Sequence, residues 1–327
     1  AVDHWYVWAE GKSKAIYGQV TWTPPVLGDR LDLTLGARYT EDSRKATKNY
    51  LRTDLSPAIL PGTVVVGDRD FDSFNPAITL DYAFVDNILG YAKYSTGYRA
   101  GGFSTQSTPA YFGQGFGQED VKAWEIGLKS DLLGRRLRVN IAAFRNEYSD
   151  LQVDQARVPP IFTDTLNAGS ATVKGVELES VAVLARGLTA NLFYSWLDAE
   201  YDSYIDNGVE YAAVRHMPNA PKYQAGAGLE YAFPHLPAGN ILLNVDYRKQ
   251  DAFYGNPMSY SLSPGYQVWN AQAQLADIPV PQGSFRVAVW GKNLGDEVYR
   301  LSTTNLGVPA AQFGAPRSVG VDVVYEF

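Results

Sequence analysis

Residues 31–40 read LDLTLGARYT, in which Leu31, Leu33, Leu35, Ala37 and Tyr39 alternate with Asp32, Thr34, Gly36, Arg38 and Thr40. Successive side chains of a β-strand point to opposite faces, so this stretch presents one apolar and one largely polar face. The same period returns at Ile241, Leu243, Val245 and Tyr247 set against Leu242, Asn244, Asp246 and Arg248. It returns again at Val319, Val321, Val323, Tyr325 and Phe327 set against Ser318, Gly320, Asp322, Val324 and Glu326. Helical periodicity is scarce by comparison. Extending the strand template along the chain predicts about thirteen strands, near 15–24, 31–40, 73–84, 88–98, 121–132, 136–148, 173–184, 188–200, 222–233, 240–250, 266–277, 284–294 and 317–327. The phase changes near Ala142–Phe144, where a β-bulge is expected.

The connections decide what kind of sheet this is. Short ones carrying Gly, Pro, Asp or Asn lie at Pro25–Arg30, Val85–Asn87, Leu133–Arg135, Ala185–Gly187, Pro234–Gly239 and Ile278–Gly283. They alternate strictly with long ones at 41–72, 99–120, 149–172, 201–221, 251–265 and 295–316, which are polar and rich in Gly, Pro, Tyr and Asp. Residues 1–14 would be the tail of a further long loop. One plain end and one elaborated end is the asymmetry of an antiparallel up-and-down transmembrane β-barrel. A strand of ~10 residues tilted by ~45° rises ~23 Å, close to the ~25 Å apolar band of such barrels.

Composition agrees. The 327 residues include no cysteine, which removes disulfides, thiolate metal sites and cysteine nucleophiles. A net charge of -7 argues against a nucleic-acid partner. No run of ~18 apolar residues is present, so membrane-spanning helices are excluded, whereas barrel strands average to neutral hydropathy. Aromatic residues reach 13% and charged residues only 19%. Many of those aromatics sit near strand ends on the apolar faces: Trp22, Tyr39, Trp124, Tyr194, Tyr231, Tyr247 and Tyr325. That is where the lipid–water boundary favours Tyr and Trp. A soluble β-sandwich also alternates, but it does not separate loop lengths so cleanly. Leu31, Leu33, Leu35, Ile241, Leu243, Val245, Val319, Val321 and Val323 are therefore expected to face lipid. Asp32, Arg38, Glu125, Lys129, Asp246, Arg248 and Asp322 are expected to face a polar lumen.

Five segments, taken in order, resemble the C-terminal barrel half of TonB-dependent outer-membrane receptors. They are YAKYSTGYRAGGF (91–103), QEDVKAWEIGLKSDLLGRRLRVNIAAFRNEYSDLQV (118–153), NAGSATVKGVELE (167–179), KNLGDEVY (292–299) and the terminal Tyr325-Glu326-Phe327. The resemblance covers nearly all of residues 1–327 and implies a 22-stranded barrel around a plugged lumen. Counting back from the last strand makes this chain strands 10–22. It would be the C-terminal portion of the barrel, without the plug domain and first strands. Residues 1–20 carry no export-signal pattern, so a mature chain or a fragment is expected.

The function implied by the resemblance is high-affinity uptake of a scarce nutrient across the Gram-negative outer membrane, with a ferric siderophore as the favoured ligand. Alternatives are a passive porin-like channel, a soluble β-protein that binds sugar through aromatics, or uptake of a sugar, aromatic compound, haem or cobalamin. Partners implied are outer-membrane lipid, the TonB complex acting through the plug, and the barrel-assembly machinery, which would read Phe327. The stretch Tyr98-Arg99-Ala100-Gly101 lacks the proline of the haem-uptake motif. No cofactor, metal site or enzyme constellation is implied: His4, His216 and His235 are isolated, and no GxSxG, HExxH or phosphate-loop pattern occurs. Ligand contacts are expected from Arg99, Phe103, Tyr111, Phe112, Arg157, Tyr204, Arg215, Tyr254 and Arg300 in the long loops. Aromatics there supply rigid contact area and arginine supplies planar recognition of oxyanions.

Overall fold

The computed structural model describes residues 3–157, 162–233, 236, 239–305 and 309–327. Thirteen strands form one sheet: β1 (Asp3–Trp22), β2 (Leu31–Thr53), β3 (Val64–Val85), β4 (Ile88–Arg99), β5 (Glu119–Leu132), β6 (Leu137–Arg157), β7 (Phe162–Ala185), β8 (Leu188–Asp206), β9 (Tyr223–Ala232), β10 (Asn240–Gln250), β11 (Tyr266–Val280), β12 (Gly283–Lys292) and β13 (Ser318–Glu326). Each pairs with its neighbour in sequence, leaving β1 and β13 as the two edges. All of these pairings are antiparallel.

The short turns lie where expected among the described residues; most of the expected turn Pro234–Gly239 lies outside them. Gly187 and Gly283 take positive φ (79° and 117°), and a Cβ on either would collide with a backbone carbonyl, that of Ala232 and Glu326 respectively. Such left-handed, crowded positions accept glycine alone at low cost.

The long-loop end departs from expectation. Residues 3–14 are strand, paired with 41–53 from Lys14↔Glu41 to Asp3↔Thr53, and 64–72 continue the same ladder against β2. The expected loops 1–14 and 41–72 are therefore mostly sheet. Likewise β6 and β7 extend to Arg157 and Phe162, and β8 to Asp206. Much of these extensions is polar on both faces, as in Glu41–Lys45, and their apolar residues, such as Trp5-Tyr6-Val7-Trp8 and Val64-Val65-Val66, come in unbroken runs, so the alternating period that betrays a half-buried strand is missing. β2 is 23 residues long, so at ~3.3 Å per residue and ~45° tilt it rises about twice the apolar band. The bulge expected near Ala142–Phe144 is not there, since β6 keeps register through those residues on both sides. The irregularity falls between Tyr148 and Leu151, where Asp150 has a φ of 52°.

Facing follows the alternation. Leu35, Ile78, Ile126, Leu229, Leu243, Val245, Val289, Val319, Val321 and Val323 lie exposed along one face. They share register rows: Leu35 opposes Ile78, and Val245 opposes Leu229 and Ala271. An apolar band this continuous is the kind of surface that a bilayer covers in transmembrane barrels. The opposite face carries Asp32, Arg38, Glu125, Lys129, Asp246, Arg248 and Asp322, and its polar groups pair with one another. Tyr91 Oη donates to Glu125 at 2.6 Å, Asn270 Nδ2 to Asp246 at 2.8 Å and Trp290 Nε1 to Asp322 at 3.0 Å. On this face aromatic rings also lie over glycines of the next strand, Tyr91 on Gly127, Phe193 on Gly226 and Trp290 on Gly320. Phe327 follows β13 and is fully exposed.

Candidate ligand-binding surface at the long-loop end

Three loop clusters crown the sheet. The first is the loop between β4 and β5. Thr108 and Pro109 start a short helix, α1 (Pro109–Gln114), closed by Gly115 in a left-handed conformation. Proline suits a first helical position because its missing N–H would be unpaired there anyway. Both ends of the loop are tied down. Asn167 donates its amide to the carbonyls of Gly117, Gln118 and Asp150 at 3.0, 2.9 and 2.7 Å, and accepts from Gly117 N–H. Gln152 Nε2 donates to the carbonyls of Ala100 and Gly117 at 3.2 and 3.1 Å.

The centre of this loop is held by Lys48, a fully buried residue on the polar-lumen side of β2. Its Nζ donates to the carbonyls of Thr105 and Ser107, both at 2.9 Å. It also lies 4.5 to 5.6 Å from the ring centroids of Trp5, Tyr50, Phe162 and Phe112, within cation–π range. Burial pushes the ammonium down to about 8, against the opposing pull of the Asp164 carboxylate. Asp164, itself buried, accepts from Thr108 N and Oγ1 at 2.9 and 3.0 Å. Burial and the same carboxylate push the Tyr50 hydroxyl up to about 12.

The second cluster joins the end of β8 to the loops that follow β8 and β10. Arg215 lies over the Tyr211 and Tyr204 rings at 4.9 and 5.5 Å and reaches the Met258 sulfur. His216 stacks on Tyr254 with centroids 3.6 Å apart and planes 3° from parallel. Arg215, His216 and Tyr254, together with Tyr201, Met217 and Lys222, line a depression of ≈ 450 Å³. Its turn is fastened by Glu210. The Ser203 hydroxyl and the N–H groups of Tyr204 and Ala212 donate to that carboxylate at 2.6, 2.7 and 2.8 Å, holding it down to about 2. The third cluster surrounds Arg300, which donates to the Leu262 carbonyl at 3.2 Å beside the stacked Tyr266–Tyr299 pair. Asn293, from the KNLGDEVY segment, donates to the carbonyls of Glu297 and Ala315 and accepts from Glu297 N–H, at 2.8 to 3.1 Å.

The expected contact residues thus divide. Arg215 and Tyr254 come together at one depression with Tyr204 behind Arg215, and Phe103, Tyr111 and Phe112 share the α1 loop. Arg99 is exposed at the end of β4, and Tyr111 is also exposed. Phe112 and Tyr204 are buried: Phe112 packs on Phe103 and Lys48, Tyr204 on Tyr201 and Arg215. In this conformation these two support the surface rather than form it. The Arg157 side chain, and His235, lie outside the described residues. Lys48, Asn167 and Asn293 escaped the sequence reading as individual residues. Asn167 and Asn293 lay within the segments 167–179 and 292–299, whereas nothing local marks Lys48. Among the described residues no three His, Asp or Glu side chains are grouped to hold a metal ion.

A thirteen-stranded antiparallel meander with an apolar belt, plain turns at one end and aromatic, arginine-bearing loops at the other defines an outer-membrane receptor barrel. The chain belongs to the TonB-dependent receptor-like β-barrel family, whose model matches residues 4–294. It is 23% identical over 300 residues to the ferrichrome outer membrane transporter/phage receptor of Escherichia coli K12, covering 91% of this chain and 36% of that protein. The ferric yersiniabactin uptake receptor of Yersinia pestis superposes with a TM-score of 0.82 at 20% identity, over 99% of this chain and 47% of that one. The siderophore receptor PiuA of Acinetobacter baumannii gives 0.74 at 22% identity, over 97% and 43%. The chain therefore spans about a third of the curated relative and under half of these structures. Its setting is the Gram-negative outer membrane, and its homologues and fold are those of receptors and transporters, not of enzymes.

Proposed function

We propose that this chain is the C-terminal portion, strands 10–22, of a receptor that takes up a ferric siderophore with energy delivered through TonB. In this reading the plug domain and the first strands belong to the rest of the receptor. The observation that carries it is the depression where Arg215, His216 and Tyr254 meet beneath the extracellular rim. Ferric chelates are commonly anionic and ringed. A guanidinium already backed by two tyrosine faces supplies charge in planar form, and the stacked His216–Tyr254 pair supplies rigid flat area. Arg99, Phe103, Tyr111 and Arg300 extend the surface, with Phe112 and Tyr204 behind it. The relatives named for ferrichrome and ferric yersiniabactin support the same ligand class. Substrate bound here would wait above the plug until the inner-membrane proton gradient, acting through TonB, rearranged it. The bilayer would cover the apolar belt, and Phe327 would present the assembly signal.

The test uses the full-length receptor. Cells carrying it, and cells deleted for it, are offered radio-iron as hydroxamate, catecholate and phenolate chelates. Loss of uptake of one chelate on deletion, with expression rising under iron limitation, is the expected result. Expression that follows carbon source, with no chelate lost, would replace iron with a neutral aromatic or sugar ligand.

A further inference from the structure

The α1 loop is fastened in a way its own sequence does not announce. A lysine is normally kept in water, yet Lys48 is fully buried, and it spends two of its three donors on carbonyls of the loop opposite. The rings around it come from three strands and the helix: Trp5 on β1, Tyr50 on β2, Phe162 on β7 and Phe112 on α1. Asp164, the carboxylate facing it, sits on β7 and holds Thr108 at the helix start. Tyr50 is the other titratable group at the cage, and it stays neutral across the ordinary pH range.

We propose that Lys48 is a positioning residue, the latch that seats the 100–118 loop on the extracellular extensions of β1, β2 and β7 and so presents Tyr111 to the binding space. The part concerning ligand rests on the uptake function proposed above; the latch itself does not. Removing the ammonium leaves the Thr105 and Ser107 carbonyls without their donor, and Ser107 is buried. An unpaired buried acceptor shifts a local equilibrium by roughly 10-fold or more. The latch also has a pH signature. With the folded value near 8 and the ordinary value at 10.5, the seated loop binds fewer protons than the released loop between those limits. Seating therefore strengthens as pH rises from about 8 to 10.5.

The experiment uses the full receptor in lipid with a single spin label at Ala110→Cys, a position on α1 exposed to solvent, in a chain that has no other cysteine. In the parent the mobile fraction should fall from pH 8 to 10.5. In Lys48→Met it should be about 10-fold larger at pH 8 and flat with pH. If Lys48→Met does not assemble, Asp164→Asn decides the matter. Its amide still accepts from Thr108 but no longer supports the ammonium, so the pH transition should move below 8. A label equally immobile in Lys48→Met, or an unmoved transition in Asp164→Asn, overturns the latch. A loosened loop with unchanged affinity for the chelate the receptor imports would keep the latch and remove this loop from the binding surface.

Discussion

Val245 sits midway along β10 on the apolar face, between Leu229 of β9 and Ala271 of β11, and Asn244 is its neighbour on the lumen face. Five residues from the strand start at ~3.4 Å each, tilted by ~45°, place Val245 ~12 Å into a ~25 Å band, at the bilayer centre. Arginine at that depth costs ~2–4 kcal/mol, so Val245→Arg should lower the folding equilibrium constant by about 30- to 900-fold. Asn244→Arg puts the same charge one residue away. It lands in a polar lumen beside Glu230, its register partner, and should stay within ~0.5 kcal/mol of the parent. Both variants are made in the full receptor, refolded into vesicles and unfolded by denaturant, with folded barrel read by heat-sensitive gel mobility. Equal effects from the two variants would refute the assignment of faces. A larger effect from Asn244→Arg would invert it.

Asn167→Ala should release the carboxyl end of the α1 loop, since the Gln118 and Asp150 carbonyls and the Gly117 N–H lose this partner and the Gly117 carbonyl keeps Gln152 alone; a local destabilisation of ~2–3 kcal/mol is expected. Amide exchange at Gly117 would report it. Glu210 is held down to about 2 by donors present only in the folded turn, whereas its ordinary value is 4.5, so its contribution is present above 4.5 and drains away as pH falls toward 2. A spin label at Ala213 should gain mobility across that window, and Glu210→Gln should abolish the dependence. Arg215→Ala should weaken chelate binding ~10- to 150-fold by equilibrium titration, the worth of one desolvated charged contact. Unchanged affinity would make Arg215 a loop-packing residue.

Much of the membrane-spanning fold can be read from a chain that alternates this regularly. Within the bilayer every residue faces either hydrocarbon or a polar lumen. Leu243, Val245 and Asp246 could therefore be sorted by parity alone, and one apolar face per strand leaves only one register that buries nothing wrongly. The short turns were equally legible, because Gly187 and Gly283 occupy backbone conformations that other residues pay to adopt.

Above the membrane that constraint lapses. The extensions of β1 and β2 face no hydrocarbon, and parts of them are covered by polar as well as apolar contacts that bury Ala46, Lys48 and Tyr50, so Lys12, Ser43 and Glu41 carry no hydrophobic period and read as loop although they pair as sheet. The binding end lies further still from local rules. Lys48 is an ordinary strand lysine by its neighbours. Only the fold brings Trp5, Phe112, Phe162, Asp164 and two loop carbonyls around it, from as far as residue 5 to residue 164. The same holds where Arg215, His216 and Tyr254 converge. The sequence by itself determined the strand count, the two faces, the membrane setting and the family. It could do so because each follows from spacing along one segment or from motif order. Which loop side chains are buried supports and which remain open to a ligand was decided by tertiary structure, because cages and stacks are made of contacts between segments that no local period encodes.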